Sequence, residues 1–341
     1  MIILGIETSC DDTGISLLEV SNLKFKILAD FISSQVKVHQ KYGGVYPTLA
    51  KREHQKHLPL LLKKALLKIK NRKIDLVSVT TGPGLEPCLW QGVNFAKKIA
   101  KRMNLPLVGI NHLEAHILIN FLKIPPLKIN FPAISLVVSG GHTTLFLMRK
   151  IGNYKILGET RDDAAGECLD KVGRLLGLSY PAGPKIEKLA RLKIKNSDLK
   201  IKLPRPMIYQ KNYDFSFAGL KTAVLYDFKK RTKKIRESKV YKILISREVQ
   251  QAIIDVLIIK TFRAKAEFKA KAIFLGGGVM ANEKLRKEFL KRGKEEKCKI
   301  IMPEKNFCLD NGTMVALGGY FHQEKKTRNF DKIIANGNLR L

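Results

Sequence analysis

The chain reads as one mixed α/β unit written twice, and this duplication restricts its fold more than any other feature. Residues 2–34 hold three strand candidates in a meander: IILGIET, then ISLLEV after the turn SCDDTG, then KILADFISS. A helix over 50–69, a strand at DLVSVTTG, a helix through NFAKKIAKRMN and a fifth strand at LPLVGI follow. The order then returns. AISLVVS, the turn SGGHT, TLFLMRK and YKILGET form a second meander. Beyond a long insertion come the strand AKAIFLGG, the helix ANEKLRKEFLKR, the strand CKIIMPE and the helix NGTMVALGGYFHQ. Two copies of strand–strand–strand–helix–strand–helix–strand predict a duplicated α/β architecture, and 341 residues suffice for two such lobes.

Composition narrows the function classes. No apolar run reaches the length of a membrane span, and the chain enters a strand at once without a leader-like segment, so a cytoplasmic protein with no membrane partner is expected. Five scattered cysteines with no CxxC pair point to neither a disulfide framework nor a zinc ribbon. The formal charge of +33 favours a polyanionic partner, above all nucleic acid, although much of the excess is lysine spread over helix faces. Residues 185–245 carry a basic insertion that includes KKRTKKIR at 229–236, where phosphate contact competes with a merely solvated surface.

Five places carry chemistry. In Asn111–His116 (NHLEAH), His112 and His116 stand four apart, so a helix presents both imidazoles on one face. That spacing suits two nitrogen ligands to one metal ion, with a third ligand to come from elsewhere. Glu114 is two residues from each histidine and therefore on another face, unlike the general base of an H-E-x-x-H protease. Each half also carries a tight polar turn between its first two strands, Ser9–Gly14 and Ser139–Thr143; both can be plain hairpin turns or cradles for anionic oxygens. Gly276-Gly277-Gly278 lies between a strand and a helix, where Asn282 either caps the helix or bonds a nucleotide. Asp310, before the last long helix, either caps it or supplies an oxygen ligand to the histidine pair.

The segments MIILGIETSCDDTG, YGGVYPTLAKREH, TGPGL, NHLEAH, LVVSGGHT, DDAAGECLDKVGRLLGLSYPAGP, FSFAGLKTAV, GGGVMAN and CLDNGTMVA succeed one another in a family's order. From residue 1 to about 320 the chain resembles the tRNA threonylcarbamoyladenosine transferase family, and HLEAH resembles its bacterial branch. The resemblance implies an actin-like, sugar-kinase-like (ASKHA) two-lobed fold built from duplicated ribonuclease-H-like units, with an active site between the lobes. The expected division is an N-terminal lobe over 1–117 and a C-terminal lobe over 118–320. The basic helical insertion at about 185–245 belongs to the second lobe, and a C-terminal helix at about 321–341 packs back on the first. The implied activity moves the threonylcarbamoyl group from threonylcarbamoyl-AMP to the exocyclic amine of the adenosine adjacent to the anticodon in tRNAs reading ANN codons, with release of AMP.

The family's metal ligands fall on His112, His116 and Asp310, holding one divalent ion, iron (Fe2+) first and zinc as the alternative. Its substrate contacts fall on Val137, Val138, Ser139, Gly140, Gly141, Asp170, Gly183, Glu187 and Asn282, so the nucleotide reading of Asn282 displaces the cap. Asp11 and Asp12 are candidates to orient or deprotonate the attacking amine. The implied partners are tRNA, a TsaB-like paralogue and a TsaE-like ATPase. Asp12 stands where the family has Glu, Thr48 replaces Glu, Tyr46 replaces Val, and Pro87 replaces Gly with Trp90 and Gln91 nearby. These departures fall in the lobe where the paralogue docks, so an altered partner surface is expected there. A non-catalytic scaffold of the same fold is disfavoured because all three ligand positions are kept, and a small-molecule kinase because the ordered motifs match this family instead.

Overall fold

The computed structural model describes residues 1–70, 72–125, 128–194 and 197–341, so two positions of the basic insertion, 195 and 196, lie outside the described residues. The chain forms two compact units, one of residues 1–129 with 303–341 and the other of residues 130–302.

In the first unit, β1 (Ile2–Glu7), β2 (Asp12–Ser21) and β3 (Lys24–Ser34) form an antiparallel meander. α1 (Val36–His39) and α2 (Pro47–Ile69) lead to β4 (Leu76–Gly82), which pairs parallel to β1. α3 (Glu86–Arg102) leads to β5 (Leu107–Asn111), parallel to β4, and α4 (His112–Leu118) follows without a linker. The sheet order is β3-β2-β1-β4-β5. β1 is buried on both faces: Leu4 and Ile6 join the core under α2 and α3, while Ile3 faces the opposite core. That explains its nearly continuous apolar sequence, as expected of a strand covered on both sides. Pro87 sits in the first turn of α3, where a missing N–H costs nothing, and Trp90 packs partly into the core.

The second unit repeats the plan. β6 (Ala133–Val138), β7 (Thr143–Lys150) and β8 (Asn153–Glu159) form the meander. After α5 (Ala165–Leu175), α6 (Gly183–Ala190), α7 (Ala218–Lys230), α8 (Lys233–Arg236) and α9 (Lys239–Glu267), strand β9 (Ala272–Gly276) pairs parallel to β6. α10 (Glu283–Glu295) leads to β10 (Lys299–Ile301), parallel to β9, giving the order β10-β9-β6-β7-β8. Both sheets therefore add two parallel strands to the first strand of a three-stranded meander, the duplication expected from the strand pattern.

The boundaries differ from expectation. Residues 118–129 and 303–320 belong to the first unit rather than the second. The cause is α11 (Gly312–Phe321), an almost wholly apolar helix that packs across β1, β2 and β4. Met314–Leu317 there complete the core formed by Ile3, Leu76, Val108 and Ile110. The approach is close enough that a Cβ on Gly5 would lie 2.1 Å from the Gly312 carbonyl oxygen, so the seam admits no side chain. The stretch 321–341 does pack on this unit, but it contains 3-10 turns at Gln323–Lys325 and Phe330–Lys332 in place of the expected helix. Asn329 and Asn336 accept from backbone N–H groups two residues on, which favours turns over helix. The chain is anchored by Asn336 N–H donating to Thr81 O (2.8 Å) and Gly84 N–H donating to Gly337 O (3.1 Å).

Two outcomes follow from this seam. Gly5→Ala is expected to destabilise the protein by about 2–3 kcal/mol through forced separation of α11 from β1, measurable by chemical denaturation. Asp30, on β3, is pushed up to about 6 by burial, opposed by hydrogen bonds from Thr313 of α11. Its folded value exceeds its unfolded value, so the folded state holds the extra proton and stability falls as pH rises from about 4 to about 6. Asp30→Asn removes that loss. It is expected to equal the wild type near pH 3.5 and to exceed it by on the order of 2 kcal/mol above pH 6.5, as read from unfolding curves across pH.

Candidate metal centre and nucleotide turns

The metal-ligand candidates meet within the first unit. β5 ends at Asn111, whose side chain accepts from the N–H groups of Leu113 (2.9 Å) and Glu114 (3.2 Å) and so starts α4 at once. His112 and His116 then point the same way, ring centroids 4.7 Å apart. Asp310 arrives from the other end of the chain: its Oδ1 lies 3.1 Å from His116 Nε2 and 3.6 Å from His112 Nε2. The cap of α11 is Asn311, which accepts from Met314 N–H, so Asp310 is spared that task. Among the described residues, one ligand atom from each of the three lies within 4.8 Å of the others.

The residues fit a divalent ion. Bonds of about 2.1 Å from one metal would set neighbouring ligand atoms roughly 3.0–3.5 Å apart, close to the two spacings from Asp310 Oδ1. Two imidazoles and one carboxylate form a donor set that Fe(II) and Zn(II) both accept, with positions left for a substrate oxygen. His116 Nδ1, buried, has no hydrogen-bond partner among the described residues.

Behind the ligands stands Glu7, fully buried at the end of β1, a residue the motif reading missed. Its Oε2 lies 3.2 Å from His112 Nδ1 and accepts from Thr80 Oγ1 (2.6 Å), while Oε1 accepts from Ser9 N–H (2.5 Å). Glu7 thereby holds the proton on Nδ1 and aims Nε2 at Asp310, the outer-shell arrangement that fixes an imidazole ligand. Without an ion, burial opposes ionisation of His112, but the Asp310 and Glu7 carboxylates outweigh it and raise the group to about 9. Burial likewise opposes ionisation of Glu7, and His112 prevails to lower it. The sequence signal was there: a lone acid in the apolar run IILGIE.

Asp11 and Asp12 lie in the same unit. Burial and the Asp310 charge raise Asp11. Burial, then Asp310 and Asp11, push Asp12 up to about 7. Glu114 takes no part: its Oε2 is 2.8 Å from His322 Nε2, a buried ion pair that holds α4 to the end of α11.

In the second unit, Val137 and Val138 end β6 and the chain turns at Ser139. Ser139 N–H donates to His142 O (2.8 Å), and His142 N–H donates to Ser139 Oγ (3.1 Å). A Cβ on Gly140 or Gly141 would meet no atom within 4 Å among the described residues, so packing does not require glycine there. The Gly276–Gly278 turn lies alongside, Gly277 adopting φ +89° with a Cβ position only 2.4 Å from Val138 O. Two glycine-rich turns thus adjoin at the carboxyl ends of parallel strands, the usual ligand position in such sheets. Asp170 accepts from Ala182 N–H (2.6 Å), just before Gly183 begins α6, and Glu187 accepts from Glu283 N–H (2.7 Å). Asn282 does cap α10, accepting from Leu285 N–H, while its amide donates to Gln250 Oε1 (2.8 Å). Its cap role therefore stands beside any ligand contact.

The matched sheets and this distribution of sites define an α/β, actin-like and sugar-kinase-like (ASKHA) protein of duplicated ribonuclease-H-like units. Two solved structures share the fold. The Acidaminococcus fermentans (R)-2-hydroxyglutaryl-CoA dehydratase component A is 13% identical with a TM-score of 0.53, covering 94% of this chain and 97% of that one. HypF from T. kodakarensis is 14% identical with a TM-score of 0.56, covering 95% of this chain and 48% of that one. The particular family comes from sequence. The profile of tRNA N6-adenosine threonylcarbamoyltransferase (TsaD) matches residues 26–317. The transferase of that name from Thermosipho africanus (strain TCF52B) is 43% identical over 344 residues, covering 100% of each chain. The chain belongs to the tRNA N6-adenosine threonylcarbamoyltransferase family. It is a transferase that forms threonylcarbamoyladenosine in tRNA, in a metal-dependent family. No helix among the described residues is long and apolar enough to cross a membrane.

Glu7→Gln is expected to weaken metal binding about 10- to 100-fold, because the amide no longer holds the Nδ1 tautomer. Competition with a chelator on the folded, metal-loaded protein reads this directly.

Proposed function

We propose that the chain transfers the threonylcarbamoyl group from threonylcarbamoyl-AMP to the exocyclic amine of the adenosine next to the anticodon, with His112, His116 and Asp310 holding the ion. The observation that carries this reading is the convergence of those three ligands with Glu7 locked behind His112, in a chain of this family. Iron is the preferred ion and zinc the alternative, since the donor set suits both. The ion supplies Lewis acidity toward an oxygen of the threonylcarbamoyl moiety.

The protein's own groups do the rest. The backbone N–H groups of the Ser139–Gly141 turn and the Gly276–Gly278 turn receive the adenylate phosphate, and the open positions at Gly140 and Gly141 leave room for close approach. Val137, Val138, Asp170, Gly183, Glu187 and Asn282 line the adenylate's path. The acceptor amine attacks the carbamoyl carbon, the bond from that carbon to the phosphate oxygen breaks, and AMP leaves with the electron pair. The amine proton passes to Asp12, oriented by Asp11; burial, the leading cause of its raised value, makes that carboxylate a better proton acceptor. A TsaB-like paralogue and a TsaE-like ATPase act as partners, and the reaction takes place in the cytoplasm with its tRNA substrate.

The test is transfer of labelled threonine, presented as threonylcarbamoyl-AMP, onto unmodified tRNA, with and without the paralogue. His112→Ala is expected to lower transfer by at least about a hundredfold while also releasing metal. Transfer untouched by the substitution would remove the metal role and keep the enzyme. No transfer by folded, metal-loaded protein under any partner combination would instead favour a non-catalytic scaffold.

A further inference from the structure

The first unit exposes an aromatic pair that its own core does not use. Tyr42 is 52% and Tyr46 53% exposed, yet their rings stack on each other with centroids 5.7 Å apart and planes at 30°. Lys41 Nζ lies 5.0 Å from the centre of the Tyr42 ring. In the flanking sequence Lys37, Lys51, Arg52 and Lys56 are all exposed, and Glu53, beside His57, is the lone acid between residues 36 and 56. Exposed tyrosines in a cationic field have the chemistry of a stacking surface for unpaired bases: each ring offers a π face, and the lysines offer phosphate contacts.

The pair is not carried on a loosely held loop. Tyr46 N–H donates to Nδ1 of the buried His39 (3.3 Å), and His39 Nε2–H donates to Gln35 Oε1 (3.0 Å). Gln35 Nε2 then donates to Ala50 O (3.3 Å) and to His54 Nδ1 (3.4 Å), which also accepts from Thr13 Oγ1 (2.8 Å). His54 Nε2–H closes the chain on Cys10 O (2.9 Å), and Gln35 N–H donates to Asp11 O (3.0 Å). Burial lowers both histidines, in keeping with the neutral tautomers this one-way chain of donors requires. The aromatic pair is thus tied by buried hydrogen bonds to the turn that carries Asp11 and Asp12, whose Ser9 N–H also donates to Glu7.

We infer that Tyr42 and Tyr46, with Lys41, form a stacking platform for an unpaired nucleobase of the tRNA substrate, held in fixed register with the Ser9–Asp12 turn. The inference rests on the reading of tRNA as acceptor and adds the place where the RNA is gripped. One splayed base stacks on the exposed tyrosine face while Lys41 and its neighbours meet the flanking phosphates.

The experiment measures binding of an unmodified tRNA transcript, with adenosine beside the anticodon, to the full metal-loaded chain by fluorescence anisotropy across salt concentrations. Tyr42→Ala and Tyr46→Ala are each expected to weaken binding about five- to tenfold at fixed salt without changing the salt slope. Tyr42→Phe and Tyr46→Phe are expected to retain wild-type affinity. Lys41→Ala should reduce the salt slope by about one. Metal content and unfolding midpoint, measured on the same samples, should match the wild type. Wild-type affinity in both alanine variants would overturn the platform while leaving the transferase reading intact. The same is true of alanine variants that lose only the binding of a paralogue protein, which would make this face a protein interface. No measurable tRNA affinity in the wild type at low salt would overturn the platform together with the tRNA reading.

Discussion

The seating of α11 on the first sheet is the constraint on which the rest of the site depends. Asp310 and His116 are 194 residues apart in sequence, and nothing local brings them together. What does is steric. Gly5 on β1, Gly14 on β2 and Gly312 on α11 leave no room for side chains between them, so the helix has one depth at which it can pack. Ser16 and Thr313 exchange a hydrogen bond across the seam (2.8 Å), which also fixes its position along the strands. Asn311 then takes the helix cap and Asp310, one residue earlier, is left to face the histidines. The spacing of the three candidate ligands inherits the precision of a helix–sheet contact.

The electrostatics of the centre run against the character of the chain. A protein with 63 basic and 30 acidic residues gathers Glu7, Asp11, Asp12 and Asp310 in one region and buries Glu7 completely. Isolated, each of these carboxylates would favour protonation; Asp11 and Asp12 show it, raised by burial and by Asp310. Glu7 escapes because it accepts from Ser9 N–H and Thr80 Oγ1 and faces His112, so its charge is fully compensated. Two acids raised by burial and by a third carboxylate, beside two imidazoles, have little structural use and form an environment that favours a dication.

The duplicated fold was legible in the sequence because it rests on period and order. A strand such as IILGIE declares itself locally, and two identical series of elements leave few topologies. The unit boundary was not legible. α11 follows β10 in sequence and reads as the end of the second copy, yet its apolar surface is matched by the Ile3, Val108 and Ile110 face of the first sheet, a tertiary fact no local pattern carries. The C-terminal stretch was overread as helix because Asn329 and Asn336 divert backbone donors into turns. At the site, the His112–His116 pair was visible from spacing alone. Asp310 was visible only as one of two roles, and the structure gives the cap to the neighbouring Asn311. Glu7 and the His39–Gln35–His54 chain escaped because second-layer residues have no spacing rule of their own.

Glycine shows the same limit most sharply. By sequence, Gly5, Gly140, Gly141 and Gly277 all sit in short polar or apolar runs and invite one explanation. Their surroundings separate them. Gly5 is glycine because Gly312 O occupies the space of a side chain, and Gly277 because its backbone is left-handed and pressed on Val138. Gly140 and Gly141 answer to neither demand: among the described residues no atom lies within 4 Å of a Cβ at either, and neither has a left-handed φ. A residue that lacks a side chain for no internal reason is spending conformational freedom on something outside the fold. In such sheets an open turn of N–H groups at the carboxyl end of a strand like β6 is the usual position for a ligand's oxygens.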